Sequence, residues 1–234
     1  ADPIRSWHAR IAATTMAFVD GDWEECRHLA DMAFAAASEQ GIVTSFSTRV
    51  AQEFMLQWVV GQHGALVGQF ENAAPDIHDN LLARAAIATV LGEHDRHREQ
   101  ATTLIAEIAA NALDLRSALS PGAAALLAST PAHLRSDATN VALRQVLEPF
   151  RGSALIPGAV LSHLGPASWS LAHLATDEVE RVDLLRQADD EAQRLNQRLW
   201  SVVALRDLAS ATGDDDLSGQ ARLLADGTQL EMIL

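Results

Sequence analysis

The chain has 234 residues, 48% hydrophobic and 21% charged, which is enough to bury a substantial core in one large domain or two small ones. Its 31 acidic side chains outnumber 17 basic ones, all arginine, and the resulting net charge of −14 opposes contact with a polyanion such as DNA. The absence of lysine excludes P-loop, kinase-type and Schiff-base lysine chemistry, and the absence of tyrosine removes one common general acid.

Alanine and leucine dominate the apolar share, and few β-branched runs alternate with period two, so an all-α chain is predicted. The first helix is expected over Ile4 to Val19, stopped by Gly21, with Asp22 capping a partner from Trp23 to Gln40. That partner would bury a stripe of Leu29, Met32, Ala33 and Ala36, and so short a turn forces an antiparallel pair. Further helices are predicted over Thr44 to Val60, Ala65 to Ala74 (ended by Pro75), Ile77 to Leu91, and Arg96 to Leu113. A stretch from Pro121 to about Leu134 and a helix from Ala138 to Leu147 follow. The next helix is expected from Ala159 to Leu174 with a kink at Pro166. Asp177 and Glu180 form a capping box for the helix after it; Leu199 to Ala211 and Leu217 to Leu234 complete the chain.

Turns near Gly21, Gly61, Gly92, Ser136, Thr176 and Gly213 recur at roughly 30 to 43 residues, the range of helical repeats. One hairpin cannot hide its apolar face, whereas a stack can. "GDWEECRHLADMAF" resembles the turn and second helix of a tetratricopeptide repeat: Gly21, Asp22, Trp23, Glu25, Cys26 and Ala33 fill the family's positions. The later units depart from it, with His97, Arg181 and Ser218 at the small position. Over residues 80–234, and more loosely before them, the chain is also similar to the C-terminal helical sensor region of large actinobacterial regulators. The elements that carry this likeness are "LEPF", "GAVLSHLG" and "RLW". Those regulators join a STAND-type ATPase to a LuxR-type DNA-binding domain or a cyclase, and their sensor resembles that of the maltose-regulon activator. The resemblance implies a tetratricopeptide-like α-solenoid, a right-handed superhelix of about six antiparallel hairpins, forming one domain over residues 1–234. It also implies an excised sensor region, or a free-standing relative of one.

The lone Cys26 allows no intrachain disulfide and reads as a small buried residue rather than a reactive thiol. No apolar run approaches the roughly 20 residues of a membrane helix and no signal peptide is visible, so a cytoplasmic chain without membrane contact is expected. Ala1-Asp2-Pro3 reads as a cloning remnant. His94 and His97, with Asp95 or His63, have the spacing to share a metal, but a solvated helix start explains them as well. Asp214, Asp215 and Asp216 suit a helix cap, and "GQHGALVG" a tight turn rather than a phosphate cradle. No G-x-S-x-G elbow frames a serine, so no enzyme, cofactor or metal is predicted. Tryptophans 7, 23, 58, 169 and 200 read first as core.

The remaining functional feature is a groove. In tetratricopeptide arrays the first helix of each hairpin lines the concave face, and counting back from the turns puts His8, Thr15, Asp79, His163, Ser170, His173, Trp200 and Asp207 there. Taken singly, each also fits a solvated or packed helical position. Together they suit a polar small molecule, through stacking and hydrogen bonds, or an arginine-bearing peptide. The expected function is a non-catalytic sensor that binds an effector, a partner protein or the neighbouring ATPase domain. The alternative is a scaffold that takes a peptide or partner domain in its concave groove.

Overall fold

Short polar side chains and glycines punctuate the helices where the sequence places them. In the computed structural model, which describes residues 2–62, 66, 80–111, 113, 117–157 and 163–234, α1 (Pro3–Asp20) starts where Asp2 accepts a hydrogen bond from the Ile4 amide at 3.0 Å. It stops at Gly21, whose φ of +81° lets its amide reach the carbonyls of Ala17 and Phe18. Asp22 accepts from the Glu25 amide at 3.0 Å and opens α2 (Trp23–Glu39). Then come α3 (Ser45–Val59), α4 (Leu81–Gly92), α5 (Arg98–Asn111), α6 (Ser120–Ala128), α7 (Asp137–Leu147), α8 (Ala167–Ala172), α9 (Glu178–Arg194), α10 (Arg198–Thr212) and α11 (Asp215–Ala225). The chain finishes with a 3₁₀ turn over Gln229–Ile233. The described residues are thus all-helical, with no strand.

Helices adjacent in sequence pack against each other: α1 on α2, α4 on α5, α6 on α7, α8 on α9, and α10 on α11. The helices α4, α6 and α8 also touch in succession and form an inner layer, with α5 against α7 outside it. Burial follows this division. Every residue of α8 is buried, and so are the residues from Leu199 to Leu205 in α10, while in α9 burial is limited to Leu184, Leu185, Ala188, Glu191 and Ala192. A helix that is apolar all round belongs inside, and one with a single stripe belongs at the surface. One continuous core runs from Ala17 to Ile233, and a smaller cluster joins Trp7 and Ile11 to Ala33 and Ala37.

Several local expectations need correction. The buried seam of α2 is Cys26, Ala30, Ala33 and Ala37, whereas Met32 is exposed and Leu29 and Ala36 are half-buried. Small side chains let α1 approach closely, so the seam rotates toward them and away from Met32. Pro166 does not kink a long helix. Residues 163–165 are not helical, Leu164 donates to the Leu155 carbonyl at 2.9 Å, Leu155 donates to that of Gly165 at 2.8 Å, and Pro166 caps α8. A residue without an N–H fits where helical donors have no intrahelical partner. Glu180 fills only half of its capping box: Asp177 accepts from its amide at 2.8 Å, but its carboxylate turns to Arg144 at 2.6 and 3.1 Å. The last predicted helix breaks after Ala225, where Gly227 has φ of +68° and Thr228 restarts the chain as a 3₁₀ turn. The fourth predicted helix, Ala65 to Ala74, lies outside the described residues except for buried Leu66.

The two ends of the chain meet. The Glu24 amide donates to the side-chain oxygen of Gln229 at 3.0 Å, and α1 packs on α10. Leu230 presses on the turn at Gly21 so closely that a Cβ there would fall 2.3 Å from its Cγ. Trp58, at the end of α3, touches Trp169 on α8 and Trp200 on α10. The first hairpin is therefore fastened to the last.

Candidate functional site

Where these ends converge, a cleft of about 400 Å³ is left open. Trp58, Val59 and Val60 supply one wall from the end of α3, Trp169 and His173 a second from α8, and Trp200, Val203 and Arg206 a third from α10. Met232, Ile233 and Leu234 of the C-terminal segment border it. Helical periodicity explains the composition: Trp169 and His173 are four apart, and Trp200, Val203 and Asp207 step by three and four, so each set shares one face.

The tryptophan rings contact one another at angles. Trp58 and Trp169 lie 6.0 Å apart at 75°, Trp58 and Trp200 6.2 Å at 50°, and Trp169 and Trp200 5.3 Å at 55°. His173 stands edge-on to Trp169, with centroids 4.5 Å apart. Gly165 (φ +86°) supports Trp200 from behind; a Cβ at this glycine would sit 2.6 Å from the indole.

One charge pair anchors the polar side. Trp169 donates its indole N–H to Asp207 Oδ2 at 2.9 Å, and Arg206 meets Oδ1 through Nε at 2.9 Å and Nη2 at 2.7 Å. Arg206 Nη1 also donates to the Ile233 carbonyl at 3.0 Å, which ties the C-terminal segment to α10. Loss of water around His173 lowers its pKa, and Arg135, Arg181 and Arg206 add to that, outweighing the opposing pull of Asp207 4.0 Å away. The imidazole is neutral at physiological pH, and Arg206 balances Asp207. Two polar atoms of the lining, Trp200 Nε1 and His173 Nε2, are buried without a hydrogen-bond partner among the described residues. Such a group costs about 1–3 kcal/mol when unsatisfied.

The residues expected in the groove divide sharply. His173 and Trp200 line the cleft, and Asp207 braces it. Ser170 is buried on α8, its hydroxyl without a partner among the described residues. His163 lies behind Trp200 at 6.2 Å. Its Nδ1 accepts from the Gly165 amide at 3.2 Å, and its Nε2 lies 2.7 Å from Gln197 Nε2. Burial pushes the pKa of His163 down to about 4. Thr15 is buried on α1, donates to the Ile11 carbonyl at 3.1 Å, and borders a void of about 10 Å³ beside His163. His8 belongs elsewhere: it is exposed on α1 and stacked on Trp7 at 5.3 Å, because its side of the helix faces solvent. Asp79 lies outside the described residues.

Trp58, Arg206 and the Met232–Leu234 wall escape groove counting, since α3 and the C-terminal turn reach the cleft only through closure of the chain. A pairing of neighbours, Arg206 beside Asp207, was the one local signal available. A second groove of about 510 Å³ between α4 and α5 is bordered by Arg84 and Glu107, an ion pair at 3.4 Å, and contains none of the expected residues. Cys26 is buried, and its thiol is pushed up to about 12, chiefly by burial. His94 and His97 stand 6.5 Å apart, and no group of three or more potential ligands for a metal occurs among the described residues. Asp214 caps α11 by accepting from the Asp216 amide at 2.9 Å. No described helix is long and apolar enough to cross a membrane. No protein-family model, curated protein or solved structure matches the chain.

Proposed function

We propose that this chain is a sensor module: a tetratricopeptide-like superhelix of hairpins, from a regulator with a STAND-type ATPase and a LuxR-type or cyclase output, that binds a small effector. The observation that carries the reading is the tryptophan-walled cleft, in which side chains of α3, α8, α10 and the C-terminal segment meet. Its volume of about 400 Å³ falls in the range of small-molecule sites and leaves little length for an extended peptide. An effector there touches the elements that hold the two ends of the stack together. It can therefore favour one curvature over another by binding it more tightly, which releases or engages an adjoining ATPase domain.

The test is a thermal-shift assay with the low-molecular-weight and macromolecular fractions of a bacterial extract. A small-molecule fraction is expected to raise Tm by a few degrees, and the rise should vanish in Trp58→Ala and in Val60→Trp, which fills the cleft from its rim. Stabilisation by the macromolecular fraction alone, unaffected by either change, would favour the scaffold reading instead.

A further inference from the structure

We infer that the effector cleft takes a small aromatic monocarboxylate, held by the guanidinium of Arg206 with its ring against Trp58 and Trp169; this rests on the effector-binding reading above. The uncommitted polar groups around the cleft point to an acceptor. Arg206 uses three of its five N–H groups on Asp207 and the Ile233 carbonyl, which leaves one on Nη1 and one on Nη2. Trp200 Nε1 is a donor by chemistry, and it lacks an acceptor among the described residues. His173 Nε2 lies 4.0 Å from Asp207 Oδ2 and has no hydrogen-bond partner among the described residues. The carboxylate of Asp207 is meanwhile engaged on both oxygens. A ligand that brings acceptor oxygens takes the two free N–H groups of Arg206, and one that brings only donors does not.

Charge narrows the class further. Among the described residues Arg206 is the one cationic side chain of the lining, and Asp207 already neutralises it. The chain as a whole carries −14. A carboxylate takes the two remaining N–H groups of Arg206 as charge-assisted hydrogen bonds, whereas a dianion adds a second charge against the field of an acidic chain. A cationic ligand would need the tryptophans opened into a cage. They are instead packed on one another, with centroids 5.3 to 6.2 Å apart, too close to admit an ammonium between them. The remaining walls, Val59, Val60 and Met232, are apolar and suit a flat hydrocarbon ring.

The test uses three probes of one shape, naphthoate, naphthamide and naphthylmethylamine, titrated into the ¹⁵N-labelled protein while the indole N–H signals are followed. Naphthoate is expected to move the signals of Trp58, Trp169 and Trp200 and to bind about tenfold more tightly than the amide, with the amine weakest. In Arg206→Gln that preference should collapse toward unity, and in Arg206→Lys, which keeps the charge but loses the fork, it should survive only in part. Equal or tighter binding of the amide or amine overturns the ligand class and leaves the effector cleft standing. Indole signals unmoved by all three probes overturn the cleft reading itself.

Discussion

Arg135 holds a buried charge with no carboxylate partner among the described residues. Its guanidinium donates to the carbonyls of Ala128 at 2.8 Å, Thr130, and His173 at 2.8 Å, and to Asn140 Oδ1 at 2.9 Å. These carbonyls end α6 and α8, where the helix dipoles are negative, and burial lowers the pKa only to about 10, so the group stays charged. Arg135→Met is expected to cost about 2–4 kcal/mol in urea unfolding, because several carbonyls lose their donor at once, and Arg135→Lys should recover only part of that. Nothing around "HLRSD" in the sequence marks this residue as more than a surface arginine; its acceptors come from the ends of α6 and α8 and from Asn140 of α7. His163 gives a prediction with a definite sign. Its folded pKa, about 4, lies below the ordinary 6.5, so the unfolded chain binds the proton first as pH falls. The stability it lends is complete above pH ~6.5 and disappears toward pH ~4, a change of up to about 3 kcal/mol. Tm should fall across that window, and His163→Gln should flatten the fall; an unchanged slope in the variant would refute the assignment.

At the scale of the element, helix ends were legible and helix faces were not. Asp22, Asp177 and Gly213 act where the sequence puts them, since a cap needs only its own neighbours in the chain. The seam of α2 and the start of α8 depend on what packs against them, which is why Met32 and Pro166 were misplaced. Two glycines separate backbone strain from packing. Gly165 and Gly213 both have positive φ, at +86° and +68°, but a Cβ at Gly165 strikes Trp200 whereas a Cβ at Gly213 meets nothing within 4 Å. Gly213→Ala should therefore cost about 1–2 kcal/mol, the left-handed penalty alone. Gly165→Ala should cost about 1–3 kcal/mol more and shift the tryptophan emission, because the indole at the cleft wall must move. Equal costs with unchanged emission would show that Trp200 does not rest on this turn.

For the whole molecule, the decisive contact is between its ends. Glu24 and Gln229 are 205 positions apart and hydrogen-bonded, and Leu230 is fully buried against the first turn. Leu230→Ala should cost about 2–4 kcal/mol and, in hydrogen exchange, should loosen amides of α1 and α2 as well as those of α11. A loss confined to α11 would mean that the two ends are not mechanically joined. The same contact bears on the proposed sensor, since a ligand in the cleft lies against Ile233, three residues from Leu230.

The helical class and the caps at Asp22, Asp177 and Gly213 could be read along the chain, because each rests on interactions within a few residues. Of the residues placed in a groove by repeat spacing, His173 and Trp200 line the cleft and Asp207 braces it, because they keep their helical periodicity, whereas His163 and Ser170 are buried beside it. The cleft itself could not be read that way. Trp58 meets Trp169 across nearly half of the chain, and Glu24 meets Gln229 across most of it. Closure depends on the summed packing angles of many helices, and no short stretch of sequence contains that sum.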